Sequence, residues 1–241
     1  MNVDLARLRL QKVLYALFHP TTWRGALHGV FASVEHRAAL AGLSFDRVFD
    51  VGANRGQFCL LMRSQYPLVP VVSFEPLPDE AKVFRAVHIG DSLVRLETVA
   101  LGEASGSATM HVSHRADCSS LLPIGDLQSQ IFPRTGEVGA LSVRVERLDA
   151  LSSLRGDATN MLLKLDVQGF ELSVLKGAIG ILGQCRYVYC ECSEVALYVG
   201  QAMFHEVQEF LAEHGFRLAG RYNDCVHGGK LIQADYLFAR D

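Results

Sequence analysis

No stretch of about 18 residues in this chain is both apolar and free of charge, so nothing in it has the character of a membrane-spanning helix. No CxxC pair is present, and Cys59, Cys118, Cys185, Cys190, Cys192 and Cys225 follow neither a zinc-ligand nor a secreted-disulfide spacing. Cys190 and Cys192 lie two apart in a strand-like run and read as small buried residues on one face. Reduced thiols, and with them a cytoplasmic location, are the expectation. Proline and glycine are scattered, which argues against a disordered tail or a low-complexity linker. A basic surplus is missing too: the net charge is -3 and no dense basic run occurs, so a nucleic-acid partner is not expected.

What is there is a chain of 241 residues, 49% hydrophobic and 20% charged, the balance of one well-buried domain. Arg7, Arg9 and Lys12 are spread among leucines, with no clean apolar core or small-residue cleavage site after them, so the start does not read as a signal peptide. It reads as an amphipathic helix over Leu5–Phe18, broken at His19-Pro20, with a second helix over Thr22–Leu40. Residues 1–44 are therefore expected to form a helical cap, packed on the domain or on a second copy of the chain. A homodimer and contact with a membrane surface both stay open.

From Phe45 onward, strands alternate with helices, the pattern of a parallel sheet flanked by helices. Strands are expected at Phe45–Val51, Val69–Phe74, Leu93–Leu101, Met161–Val167 and Arg186–Cys192. Helices are expected at Gln57–Gln65, Pro78–Val87, Phe170–Leu182 and Phe204–His214. Ser105–Ser113 and Leu141–Arg147 alternate like extra strands. With the loop Asp117–Val138 between them, they form an insertion over about 103–147 within a domain of residues 45–241. Loops of that length in compact domains are usually functional. Phe216–Arg221 and Leu231–Ala239, around a turn at Asn223–Gly229, read as an antiparallel hairpin.

Three segments carry chemistry. Val48-Phe-Asp-Val-Gly-Ala-Asn-Arg-Gly56 is a buried strand that must turn sharply into a helix. Gly52 and Gly56 remove side chains where a ligand or another backbone comes close, and Asp50 offers an acceptor at the sheet edge where open α/β sheets bind ligands. The absence of GxGxxG disfavours a dinucleotide oxidoreductase. D-x-G-x-x-x-G after a strand is instead the pattern of S-adenosylmethionine enzymes. Val72-Ser-Phe-Glu-Pro76 ends the next strand, where Glu75 is placed to accept both ribose hydroxyls. Leu163-Lys-Leu-Asp-Val-Gln-Gly-Phe-Glu runs into a helix and brings Asp166 to the same edge.

In this order the motifs V-x-D-V-G-A-N-x-G, S-F-E-P and K-L-D-V-Q-G-x-E-x-x-V-L-K-G-A resemble the FkbM-type methyltransferases. Val99-Ala-Leu-Gly102, Ser119-Ser-Leu121 and Val145-Glu-Arg-Leu-Asp149 extend the likeness from about Phe45 to Phe238. The resemblance implies a doubly wound α/β fold: a mostly parallel seven-stranded Rossmann-like sheet, an antiparallel C-terminal hairpin and an N-terminal helical cap. It implies S-adenosylmethionine as cofactor, held by Asp50, Gly52, Ala53, Asn54, Gly56, Glu75, Pro76, Ala100, Leu101 and Asp166. It also implies O-methylation of a small molecule, sugar or glycolipid precursor. Asp166 and Glu171 fall on acidic positions of the family pattern, but a third such position holds Gln168, which puts any metal or base role there in doubt. A divalent metal stays open, without support from the spacing.

An alcohol acceptor profits from a general base. The candidates are Asp166, Glu191 at the end of the next strand, and His227 in the hairpin turn, which an antiparallel last strand would return to the ligand edge. A macromolecule methyltransferase would want a basic groove or stacking aromatics, and an N-methyltransferase motif of the N/D-P-P-Y type is replaced by Asp166-Val-Gln-Gly. A non-catalytic cofactor-binding subunit remains the other alternative.

Overall fold

The structure is a computed structural model that describes residues 3–240. Met1, Asn2 and Asp241, the outermost residues of the two expected domains, lie outside the described residues. The chain opens with helix α1 (Val3–Phe18), a 3-10 turn at Pro20–Thr22 and the short α2 (Trp23–Leu27). The long second helix expected over Thr22–Leu40 does not form. Gly29 takes a left-handed φ of +70°, the chain runs non-helically to Ser33, and only a 3-10 turn and α3 (Arg37–Leu40) follow. Glycine tolerates that conformation at no steric cost, and the β-branched Val30 after it gives little pull back to helix.

The sheet begins with β1 (Arg47–Val51), followed by α4 (Gln57–Gln65), β2 (Val71–Phe74), α5 (Pro78–Val87) and β3 (Val94–Glu97). The strand expected over Leu93–Leu101 is two strands. The chain leaves the main sheet after Glu97, and β4 (Ala100–Leu101) joins a small second sheet. That sheet is completed by β5 (Gly106–Ser113) and β6 (Glu137–Glu146), paired antiparallel, with α6 (Asp126–Ile131) in the segment between them. After a 3-10 stretch at Leu148–Arg155, β7 (Met161–Leu165) returns to the main sheet.

The helix expected over Phe170–Leu182 is split into α7 (Glu171–Lys176) and α8 (Ile179–Leu182) at Gly177. A Cβ on Gly177 would lie 2.0 Å from the Gly102 carbonyl oxygen, so the break lets two backbones touch. Next come β8 (Cys185–Ser193), α9 (Phe204–Glu213), β9 (Arg217–His227) and β10 (Lys230–Ala239). β9 runs through the expected turn, leaving only Gly228 and Gly229 between the strands.

The main sheet has seven strands in the order β3-β2-β1-β7-β8-β10-β9, parallel except for the hairpin, where β10 pairs antiparallel with both β8 and β9. The doubly wound architecture is therefore the observed one. Alternate residues feed two apolar layers. Phe49, Val51, Leu163 and Leu165 pack on one side, and Val48, Leu162 and Tyr189 on the other. Strand order reverses between β1 and β7, and the crevice of such a sheet opens at the carboxyl ends on that line.

Candidate functional site

A cavity of about 80 Å³, open to solvent on one side, lies at the carboxyl ends of β1, β2 and β7. Its wall takes Gly52 and Asn54 from the turn after β1, Glu75, Pro76 and Leu77 from the turn after β2, and Ala100 and Leu101 from β4. Asp166, Gln168 and Phe170 come from the turn after β7, and Met110, Ala116, Asp117 and residues 119–121 of the insertion line it as well.

The turn after β1 is backbone-limited. Gly52 has φ +77°, and a Cβ there would lie 1.9 Å from the Asp166 carbonyl oxygen, so only glycine lets the first and third motifs meet. Asn54, at φ +47°, is a residue type that tolerates the left-handed region, and its backbone N–H donates to Glu75 Oε2 at 2.8 Å. The Leu77 N–H donates to Glu75 Oε1 at 2.7 Å. Burial pushes the Glu75 carboxyl up to about 7, against the pull of these two N–H groups. Each oxygen has room in its lone pairs for one further donor. With Val99, Leu101 and Met110 on the apolar wall, the cavity suits a flat base beside a hydroxylated ring.

Asp50, Ala53 and Gly56, expected at the cofactor, are not among the residues that line this cavity. Asp50 is fully buried, faces Lys164 across the β1–β7 register, and pairs with Lys164 Nζ at 3.1 Å. Burial disfavours the Lys164 charge, yet Asp50 and Asp166 outweigh it and hold the ammonium above its ordinary pKa. The pair neutralises the sheet edge from beneath. Gly56 is also off the wall: at φ +90° it leaves room for the side chains of His88 and Phe84, whose nearest atoms would lie 2.5 Å and 2.9 Å from a Cβ. Ala53 packs into the apolar layer beneath α4.

Of the three candidate bases only Asp166 reaches the cavity. Its side chain is 38% exposed, its Oδ2 lies 3.6 Å from Lys164 Nζ, and its Oδ1 accepts Gln168 Nε2 at 2.8 Å. Glu191 sits behind it, with its carboxylate taken by Gln168 Nε2 at 3.0 Å and Gln233 Nε2 at 2.9 Å. Burial and the neighbouring charges of Asp166 and Asp235 raise Glu191 well above the ordinary carboxyl range. His227 is exposed at the end of β9 and is not part of the wall, because the long strand carries it past the crevice.

Gln168, a departure from the family pattern, has contacts that nothing in the sequence indicates. At φ +54°, its amide bridges two carboxylates through one nitrogen, while its Oε1 accepts the Tyr198 hydroxyl at 2.8 Å. The same hydroxyl, with one proton to share, also lies 3.0 Å from the Cys118 carbonyl, and Ser120 Oγ donates to the Gln168 carbonyl at 2.7 Å. The insertion is thereby tied to the turn after β7. Tyr198 gave no motif or periodic signal in the sequence; Ser120 stood in the Ser119-Ser-Leu121 piece. Glu171 turns back on its own loop and accepts the N–H groups of Val167 and Gly169, each at 3.1 Å. Burial raises it to about 7, and it shapes the turn rather than facing the cavity.

The Methyltransferase FkbM domain family matches residues 50–218. The 2-O-methyltransferase NoeI of Sinorhizobium fredii is 28% identical over 194 residues, covering 77% of this chain and 78% of that protein. The 31-O-demethyl-FK506 methyltransferase FkbM of Streptomyces tacrolimicus is 29% identical over 212 residues, covering 78% of this chain and 79% of the other. Among solved structures, magnesium protoporphyrin IX methyltransferase of Synechocystis PCC 6803 with bound SAM aligns at TM-score 0.45 and 11% identity, over 85% of this chain and 74% of that one.

Proposed function

The chain belongs to the FkbM methyltransferase family, and from that premise we propose that it transfers a methyl group from S-adenosylmethionine to a hydroxyl oxygen of a small hydroxylated acceptor. The observation that carries this reading is one cavity whose wall holds both Glu75 and Asp166, two carboxylates in different environments. The two relatives are named for O-methylation, which favours oxygen over nitrogen as the acceptor atom. A saccharide or a polyketide-like molecule would each fit that description.

Bound S-adenosylmethionine supplies an electrophilic methyl carbon on a sulfonium leaving group. Glu75 accepts the ribose hydroxyls, with its own position set by the N–H groups of Asn54 and Leu77. Gly52 keeps the turn after β1 low enough for the ligand to lie over it, and Ala100, Leu101 and Pro76 close the apolar side. Asp166 orients the acceptor hydroxyl and takes its proton at Oδ2, the oxygen that Gln168 does not bind. Gln168 donates its amide nitrogen to both Asp166 and Glu191, which fixes the Asp166 carboxylate in the turn after β7. Glu191 acts through Gln168 as a positioning residue.

The test is calorimetric titration of the protein with S-adenosylmethionine and S-adenosylhomocysteine, with NAD as control, followed by mass-spectrometric screening of hydroxylated acceptors. Micromolar binding of both sulfur ligands and none of NAD is the expected result. A folded protein that binds neither sulfur ligand overturns the reading.

A further inference from the structure

Helix α1 is apolar on two opposite sides. One side packs on the domain through Tyr15 and Ala16, with the Tyr15 hydroxyl 2.5 Å from Ser64 Oγ and Lys12 Nζ 2.7 Å from Glu35. The other side, at i, i+3, i+4, i+7 and i+8, carries Leu10, Val13, Leu14, Leu17 and Phe18, all exposed, Phe18 to 78%. Trp23 and Leu27 of α2 continue the patch at 55% and 87% exposure. Trp23 is anchored by its indole N–H, which donates to the Ala16 carbonyl at 2.8 Å, so its ring can enter an apolar medium with no polar group unpaired. Single exposed leucines need no explanation, but a contiguous face of this kind does.

The charges around it are mostly of one sign. Between Asp4 at the start of α1 and Glu35 the chain holds no Asp or Glu, and its charged residues are Arg7, Arg9, Lys12 and Arg24. Lys12 is neutralised by Glu35, while Arg7, Arg9 and Arg24 are exposed around the apolar face and have no ion pair among the described residues. A second copy docked on this face about a two-fold axis would set these arginines against their own copies, a like-charge cost. An anionic apolar boundary meets the patch with both terms favourable. The 16 residues of α1 rise about 24 Å, short of the hydrocarbon core, and no described helix is long and apolar enough to cross a membrane.

We propose that the outer face of α1 and α2 is a docking surface for an anionic phospholipid bilayer, on which α1 lies in the plane of the interface. Leucines, Phe18 and Trp23 enter the acyl boundary, and the arginines meet lipid phosphates. The docked enzyme would then work on acceptors held at, or delivered to, a membrane surface.

The test is co-flotation of the full chain with vesicles of phosphatidylcholine alone and of equal parts phosphatidylcholine and phosphatidylglycerol. Binding to the anionic vesicles is expected, falling with added salt and about fivefold weaker for each of Arg7→Gln and Arg9→Gln. The double substitution Leu14→Asp, Leu17→Asp is expected to abolish it, with an unchanged unfolding midpoint because both side chains are exposed. No flotation at low salt, or flotation that survives the double substitution, overturns the proposal. So does light scattering that shows a dimer split by Leu17→Asp, which would give the face to a second copy. Cofactor titration of the same preparations reads the methyltransferase site separately.

Discussion

Replacing Glu75 by Gln keeps the shape of the side chain and changes what it can hold. In the wild type both oxygens accept a backbone N–H, from Asn54 at 2.8 Å and from Leu77 at 2.7 Å, and both retain a lone pair toward the cavity. The amide turns one oxygen into a donor, which then points at a backbone N–H and offers nothing to one ribose hydroxyl. The lost charge-assisted hydrogen bond amounts to about 1.5–3 kcal/mol, or roughly 10- to 150-fold in affinity for S-adenosylmethionine. The N–H left facing a donor costs about 1–3 kcal/mol of stability, a fall of several degrees in unfolding midpoint.

The pH dependence gives a second handle on the same group. Burial holds Glu75 near 7 in the ligand-free protein, whereas hydroxyl donors favour its charged form. Binding therefore releases a proton below about pH 7, and wild-type affinity should drop by up to about tenfold per pH unit there while levelling off above it. Titration calorimetry from pH 5.5 to 8.5, in buffers of different ionisation enthalpy, reads both the affinity and the proton. A folded Glu75→Gln protein with wild-type affinity, or with the wild-type pH slope intact, would refute the assignment. Glu171 is also raised to about 7, but it does not line the cavity and should leave that slope in place.

Other substitutions separate the roles further. Asp50→Ala leaves the buried Lys164 ammonium with Asp166, 3.6 Å away, as its remaining carboxylate and should cost up to about 3–5 kcal/mol, seen as a midpoint lowered by as much as about ten degrees; an unchanged midpoint would show that the pair beneath the sheet edge is misread. Asp166→Asn should leave cofactor affinity within a few-fold of wild type and cut turnover by about 100-fold or more, measured by product mass spectrometry. Gly52→Ala should abolish cofactor binding and destabilise the fold, since its Cβ would overlap the Asp166 carbonyl at a left-handed backbone position. Tyr198→Phe removes the one hydroxyl proton shared between Gln168 and the Cys118 carbonyl, and should lower kcat while sparing cofactor affinity in calorimetry; a loss confined to cofactor affinity would place Tyr198 in another role.

Much of this molecule is written locally. The largely apolar runs at Val48–Val51, Val71–Phe74 and Met161–Leu165, each interrupted by one polar residue and followed by a turn with glycine or proline, are strands because a buried parallel strand needs a near-continuous apolar stretch and a sharp exit. Strand–helix alternation then leaves few ways to order the sheet, and Glu75 and Asp166 were readable as edge carboxylates because each closes such a strand. What the sequence did not show were the contacts set by distance across the fold. Nothing in the sequence around Asp50 says that Lys164 lies opposite it in register, where the two form a buried ion pair. The long helix expected at Thr22–Leu40 gave way at Gly29, and the single strand at Leu93–Leu101 was divided between two sheets, because packing partners outweigh weak local preference. The bridge from Gln168 to Asp166, Glu191 and Tyr198 joins the turn after β7 to β8 and to the loop that follows it. Periodicity and spacing report what a segment buries and where it turns. Which polar groups then meet is decided by register and loop closure, and those exist only once the sheet has formed.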